Sequence, residues 1–227
     1  DSLTISNTAP VASNISITPE EAYATDTLSC SYDYSDADDD SDQSTLVWTV
    51  DGTEAGDSAS LSGEFVGNQV VTCTITPYDG TDAGTDVSSS ITIINTPPVL
   101  ADVTLSPEPA YEADTLVCAP GDVSDDDGTT SFSYSYEWTV DGETIEAEES
   151  TLTGADFDRG QSVSCTVIPN DGEDDGDAVT SNEVTISNTL PSIDSVSLDP
   201  SSPVASSELT CSYSGFDDDD DDDDSST

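Results

Sequence analysis

Residues 46–52, Leu-Val-Trp-Thr-Val-Asp-Gly, return 90 positions later as residues 136–142, Tyr-Glu-Trp-Thr-Val-Asp-Gly. Within each copy the large apolar side chains fall on alternate positions: Leu46, Trp48 and Val50, then Tyr136, Trp138 and Val140. Period two is the signature of a strand with one face buried and one face wet. The closing Asp-Gly supplies the positive φ angles of a tight hairpin.

Working outward from this phrase, further landmarks keep the same step. Cys73-Thr-Ile-Thr-Pro-Tyr-Asp-Gly80 returns as Cys165-Thr-Val-Ile-Pro-Asn-Asp-Gly172. Cys30, Cys118 and Cys211 open successive units at spacings of 88 and 93, and Asn7, Asn95 and Asn188 follow the same spacings. Those Asn residues sit in Leu3-Thr-Ile-Ser-Asn-Thr-Ala-Pro10, Ile91-Thr-Ile-Ile-Asn-Thr-Pro-Pro98 and Val184-Thr-Ile-Ser-Asn-Thr-Leu-Pro191. A fixed period of about ninety residues marks an array of like modules. Alternation recurs at Ile15/Ile17, Leu28/Cys30/Tyr32 and Val71/Cys73/Ile75, and at Val103/Leu105, Leu116/Cys118, Val163/Cys165/Val167 and Val184/Ile186. No stretch has helical periodicity. The pattern predicts an all-β chain of antiparallel sandwiches.

The repeat divides the chain into a closing strand over 1–8, a first sandwich over 9–97, a second over 98–190, and the opening strands of a third with an Asp-rich loop over 191–227. The first residue is not Met and no apolar leader follows it, so the chain reads as a mature product or an excerpt of something larger. Leu3 and Ile5 then belong either to the last strand of a preceding repeat in a longer array or to a strand that a neighbouring copy would pair with, since an uncovered edge is sticky.

Charge restricts the partners. Fifty acidic residues face one basic residue, Arg159, giving a formal net charge of -49 with no His. Phosphate backbones and anionic membrane surfaces both need clustered Lys and Arg, so the charge excludes nucleic acid as a partner and argues against anionic membrane surfaces. No apolar run reaches the ~20 residues of a membrane-spanning helix. Five Cys without metal-ligand spacing point to disulfides and an oxidising compartment, extracellular or at a cell surface.

The acid is concentrated. Asp36, Asp38 and Asp40 follow the first Cys of repeat one, and Asp122, Asp125 and Asp127 follow that of repeat two, while Asp217 to Asp224 occupy the third such place. Asp79 and Asp82, then Asp171 and Asp174, follow the second Cys of each repeat. Calcium takes six to eight oxygen ligands, so these clusters are the candidate metal sites, with solvated, salt-adapted loops as the plainer reading. Asn14-Ile-Ser16 is the sole N-x-Ser/Thr sequon and makes Asn14 the candidate glycosylation site.

The order Cys30…Trp48…Cys73 and Cys118…Trp138…Cys165 resembles the framework of immunoglobulin-like domains, in the style of tandem repeats on prokaryotic secreted or surface proteins. Val71 and Val163 stand where that family carries a corner Tyr. The resemblance implies that Cys30 pairs with Cys73, and Cys118 with Cys165, each bridging strands B and F between sheets, with the Trp packed against the bridge. It leaves Cys211 without an assigned partner. It also implies that the B–C and F–G loops share one end of each sandwich, beside the preceding Asn-Thr linker. A junction of that kind resembles the calcium-stiffened linkers of cadherin-like arrays. Pro in the linkers favours short, stiff connections.

With no His, no Lys and both Trp committed to cores, no catalytic constellation is visible. The reading is a non-enzymatic segment of an extracellular filament or surface fibre, its partners being copies of itself or neighbouring repeats. The alternatives are the stalk of a calcium-dependent surface adhesin, and a carbohydrate- or protein-binding module working through Tyr78 or Tyr111.

Overall fold

The computed structural model describes Leu3, residues 6–218 and Asp220. Among these residues there is no helix. They fall into two compact units, one of residues 1–98 with 124–132 and 170–175, the other of 99–123, 133–169 and 176–227.

The first unit holds β1 (Val11–Thr18), β2 (Thr27–Ser35), β3 (Thr45–Val50), β4 (Thr53–Gly56), β5 (Ser60–Ser62), β6 (Val70–Thr76) and β7 (Val87–Thr92). One sheet runs β1-β2-β5 and the other β4-β3-β6-β7. The alternation seen in the sequence is what sorts the side chains: Ile17, Leu28, Cys30, Trp48, Val71, Cys73, Ile75 and Ile93 face inward and form one buried cluster. Cys30 on β2 and Cys73 on β6 are bonded, with Cα atoms 6.4 Å apart, so the disulfide joins the two sheets. Trp48 is fully buried, and its indole N–H is satisfied by the carbonyl of Ser58 at 2.8 Å. Asp51 and Gly52 take φ of 48° and 81°, the pair of left-handed residues that a two-residue hairpin between β3 and β4 requires.

The second unit contains β8 (Val99–Leu100), β9 (Val103–Ser106), β10 (Ala110–Tyr111), β11 (Thr115–Pro120), β12 (Val123–Ser124, entering the first unit at Ser124), β13 (Ser133–Val140), β14 (Glu143–Ile145), β15 (Thr151–Thr153), β16 (Ser162–Asn170), β17 (Val179–Thr180), β18 (Val184–Ser187), β19 (Ser195–Asp199) and β20 (Thr210–Ser214). Its sheets run β15-β11-β9 and β10-β18-β16-β13-β14, with β17 also on β16. Cys118 on β11 and Cys165 on β16 repeat the inter-sheet bridge, and Trp138, fully buried, donates to the carbonyl of Glu149 at 2.8 Å. The core is again one cluster, including Leu105, Leu116, Trp138, Val163, Val167, Val184 and Ile186. Both sequence-predicted pairings and the all-β sandwich class are therefore found.

β19 and β20 form an antiparallel hairpin in which Leu198 lies opposite Cys211, as Ile17 lies opposite Cys30 and Leu105 opposite Cys118. Cys211 is free and exposed. On the outer faces, hydroxyls pair across strands, as in Ser16–Ser31, Thr72–Ser90 and Thr166–Thr180. Such pairs hold a wet sheet face together without apolar area.

Candidate functional site

The acidic loops are ordered by their own first carboxylate. After β2, Asp36 Oδ1 accepts the backbone N–H of Asp38 at 2.8 Å and of Asp40 at 3.1 Å. Asp side chains commonly hold a turn in this way. The turn aims Asp38, whose Oδ2 accepts the N–H of Thr8 at 2.7 Å. After β6, Asp79 Oδ1 accepts the N–H of Thr81 at 2.7 Å and of Asp82 at 2.8 Å. Its Oδ2 accepts from Asn7 Nδ2 at 2.8 Å, and Asp82 Oδ2 accepts from the same nitrogen at 3.0 Å. One Asn-Thr pair thus draws two acidic loops together.

The first unit contains a second copy of this arrangement. Asp125 Oδ1 accepts the N–H of Asp127 at 2.8 Å and of Thr129 at 3.4 Å. Asp127 Oδ2 accepts the N–H of Thr96 and its Oδ1 that of Gly67, each at 2.6 Å. Asp171 Oδ1 accepts from Glu173 and Asp174, while Asn95 Nδ2 reaches Asp171 Oδ2 at 2.9 Å and Asp174 Oδ2 at 3.0 Å. Asn68 adds a bond to Glu173 Oε2. A Cβ on Gly67 would lie 2.8 Å from the Asp127 carboxyl carbon, so this turn fits only a glycine without displacing the carboxylate.

In the second unit Asp220 Oδ2 accepts the N–H of Thr189, and Asp218 Oδ1 accepts that of Asp220 at 3.0 Å. Asn188 here accepts from Arg159 Nη1 at 2.6 Å. Among the described residues, each of the three loops keeps one buried carboxylate oxygen without a hydrogen-bond donor: Asp36 Oδ2, Asp125 Oδ2 and Asp220 Oδ1. The Tyr34 hydroxyl is similarly placed.

The electrostatics follow the bonding. The Asn7 amide, with the N–H groups of Asp82 and Thr81, holds the Asp79 carboxyl below its ordinary range. Burial pushes Asp171 up, but the Asn95 amide and the N–H groups of Asp174 and Glu173 outweigh it and leave it lowered. Burial raises the Tyr34 hydroxyl, and the neighbouring charges of Asp36 and Asp79 raise it further.

The sequence-predicted residues separate accordingly. Asp36, Asp38, Asp79 and Asp82 meet at Asn7-Thr8, and Asp125, Asp127, Asp171 and Asp174 meet at Asn95-Thr96. Asp40 contributes its backbone N–H. Asp122 stands apart, exposed, its carbonyl accepting from Ala101. Leu3 is 93% exposed, and Ile5 lies outside the described residues. Tyr78 is half-buried beside Ala83, and Tyr111 is paired into β10. The Asn and Thr of the linker, with Gly67 and Asn68, are members that the sequence reading did not assign to the site.

For calcium, the donors are of the right kind, since hard cations take carboxylate and carbonyl oxygen. The three partnerless buried oxygens are what such an ion would satisfy. Against this, no group of three or more carboxylates among the described residues is arranged to hold an ion, and the Asn amides offer N–H groups to the carboxylates.

No family model matches this chain, and no curated protein matches it. Solved structures do resemble it. The chicken CNTN1 FN1-FN3 domains are 16% identical with a TM-score of 0.36, covering 89% of this chain and 75% of that one. A Ca2+-stabilized adhesin that helps an Antarctic bacterium reach out and bind ice is 14% identical with a TM-score of 0.37, covering 93% of this chain and 59% of that one.

Proposed function

We propose that this chain is a non-enzymatic structural segment of an extracellular filament or surface fibre, in which acidic sandwich repeats are fastened through their linkers. The observation that carries the reading is the recurrence of one latch: Asn7-Thr8 on Asp38, Asp79 and Asp82, then Asn95-Thr96 on Asp127, Asp171 and Asp174. Its chemistry goes into hydrogen bonds that hold backbone, and the carboxyls of Asp79 and Asp171 are held below their ordinary range, as a mechanical joint needs. A hydrolytic acid would instead need a raised pKa.

Assembly is head to tail, with the segment around Leu3 and Ile5 offered to a neighbouring copy. Oxidised cysteine pairs favour an extracellular place. Calcium is the ion that would fill the partnerless oxygens of Asp36, Asp125 and Asp220, stiffening the latches and offsetting part of the net charge of -49. The stalk of a calcium-dependent adhesin shares these properties and differs in carrying a tip.

Electron microscopy of material taken from the native source distinguishes the two. Continuous polymers with a repeat of this chain support the filament, and single stalks projecting from cells refute it in favour of the adhesin. Thermal unfolding in excess chelator tests the ion separately: a lowered Tm is expected, and an unchanged one removes calcium from the account.

A further inference from the structure

We infer that Asn14 carries an N-linked glycan, placed on the edge strand of the first sheet. Asn14-Ile15-Ser16 is the only N-x-Ser/Thr sequence in the chain, and its position in the fold is unusual for a strand residue. The register between β1 and β2 slips between Ser13 and Ser16: Ser13 faces Asp33, while Ser16 faces Ser31. Three steps along β1 match two along β2, so the strand carries a bulge, and the sequon occupies it. Bulges re-aim side chains and break the ladder locally.

Asn14 takes φ of 50°, a left-handed conformation that Asn tolerates better than most residues, and it is exposed. Its Nδ2 donates to Asp33 Oδ2 at 2.8 Å. A primary amide has two hydrogens there. One serves Asp33, and the other is the one a sugar replaces, so the glycosylated side chain keeps its bond. The Ser16 hydroxyl is at the surface, paired with Ser31 at 2.9 Å.

In the transfer, Asn14 Nδ2 bonds to the anomeric carbon of a polyprenyl-phosphate-linked oligosaccharide. That carbon's bond to the phosphate oxygen breaks, the lipid phosphate leaves with the electron pair, and one amide proton passes to base. The consequence is structural. β1 is an edge of the sheet β1-β2-β5, and an unguarded edge invites a foreign strand. A bulky polar chain at the bulge closes that route.

The test is mass spectrometry of the protein purified from its native host. The chain has no Lys and one Arg, so it is cut after Glu residues, giving a fragment that ends at Glu20. The fragment is expected to carry an oligosaccharide mass mapped by fragmentation to Asn14. That mass is lost in N14Q and in S16A, and kept in S16T. An unmodified fragment overturns the inference. A mass that survives N14Q also overturns it, because the sugar is then attached to a Ser or Thr hydroxyl.

Discussion

The side-chain nitrogen of Asn95 lies 2.9 Å from Oδ2 of Asp171, 76 residues further along the chain. It reproduces the bond at 2.8 Å that Asn7 makes with Asp79. In both, the same nitrogen also serves a second carboxylate, Asp174 or Asp82, at 3.0 Å. A neutral amide between two anions does here what a cation would otherwise do. In a chain with a single basic residue, Asn95 holds two carboxylates of one loop, while the neighbouring Thr96 N–H takes Asp127 of the other, so the Asn-Thr pair brings the two like-charged loops to one place.

Replacing Asn95 therefore leaves Asp171 and Asp174 facing each other without a shared donor. N95A is expected to lose about 1 kcal/mol of stability, below the usual range for hydrogen bonds to charged groups because the site is partly open to solvent. N95D places a third carboxylate there and should lose more, with added divalent cation recovering part of the difference. Chemical denaturation measures both, and an N95D protein as stable as the parent would contradict the account.

Gly67 is held to glycine by Asp127. G67A is expected to destabilise by about 1–2 kcal/mol through displacement of that carboxylate, a close-packing cost of the usual size. In a double-mutant cycle with D127A the alanine should become nearly neutral, since the carboxylate it collides with is gone. Additive losses would show that the two positions act independently.

The lowered carboxyl of Asp171 fixes a pH dependence. Its folded-state pKa lies below the unfolded value of about 3.9. The latch's contribution is thus fully present above about pH 4 and is lost as pH falls through the folded-state value. A carboxyl-detected NMR titration should place Asp171 below ordinary Asp residues, and N95A should move it upward. A midpoint that N95A leaves unmoved would assign the shift elsewhere.

Each disulfide closes a long loop, with a sequence separation of 43 between Cys30 and Cys73 and 47 between Cys118 and Cys165. In the chain-entropy model that is roughly 4 kcal/mol per bridge. The paired variants C30A/C73A and C118A/C165A are each expected to lose an amount of that order in equilibrium unfolding, a large fraction of a small domain's stability.

The sandwiches were legible in the sequence because burial on one face of a strand forces alternation, and Trp48, Cys73, Trp138 and Cys165 all obey it. The meeting of the two acidic loops was legible too, through topology. The latch itself was not. Asn7, Asn95 and Asn188 were visible as repeat markers, but a polar side chain in a linker shows no pattern that says which carboxylate it will reach. Proximity in the chain groups Asp122 with Asp125 and Asp127. The short strand Val123–Ser124 intervenes and sends its backbone elsewhere. The signal that could have found the true members was the period: Asp36 and Asp38 recur as Asp125 and Asp127, and again as Asp218 and Asp220, in step with the Asn-Thr pairs.

Hydrogen exchange at the backbone amides of Thr8, Gly67 and Thr96 tests the central claim most directly, because each of these N–H groups has an Asp carboxylate as its acceptor. Exchange there is expected to be well slower than at open loop amides, with Gly67 and Thr96 accelerating together in D127N. Exchange at these positions as fast as in an unstructured peptide would mean that the linkers are not latched.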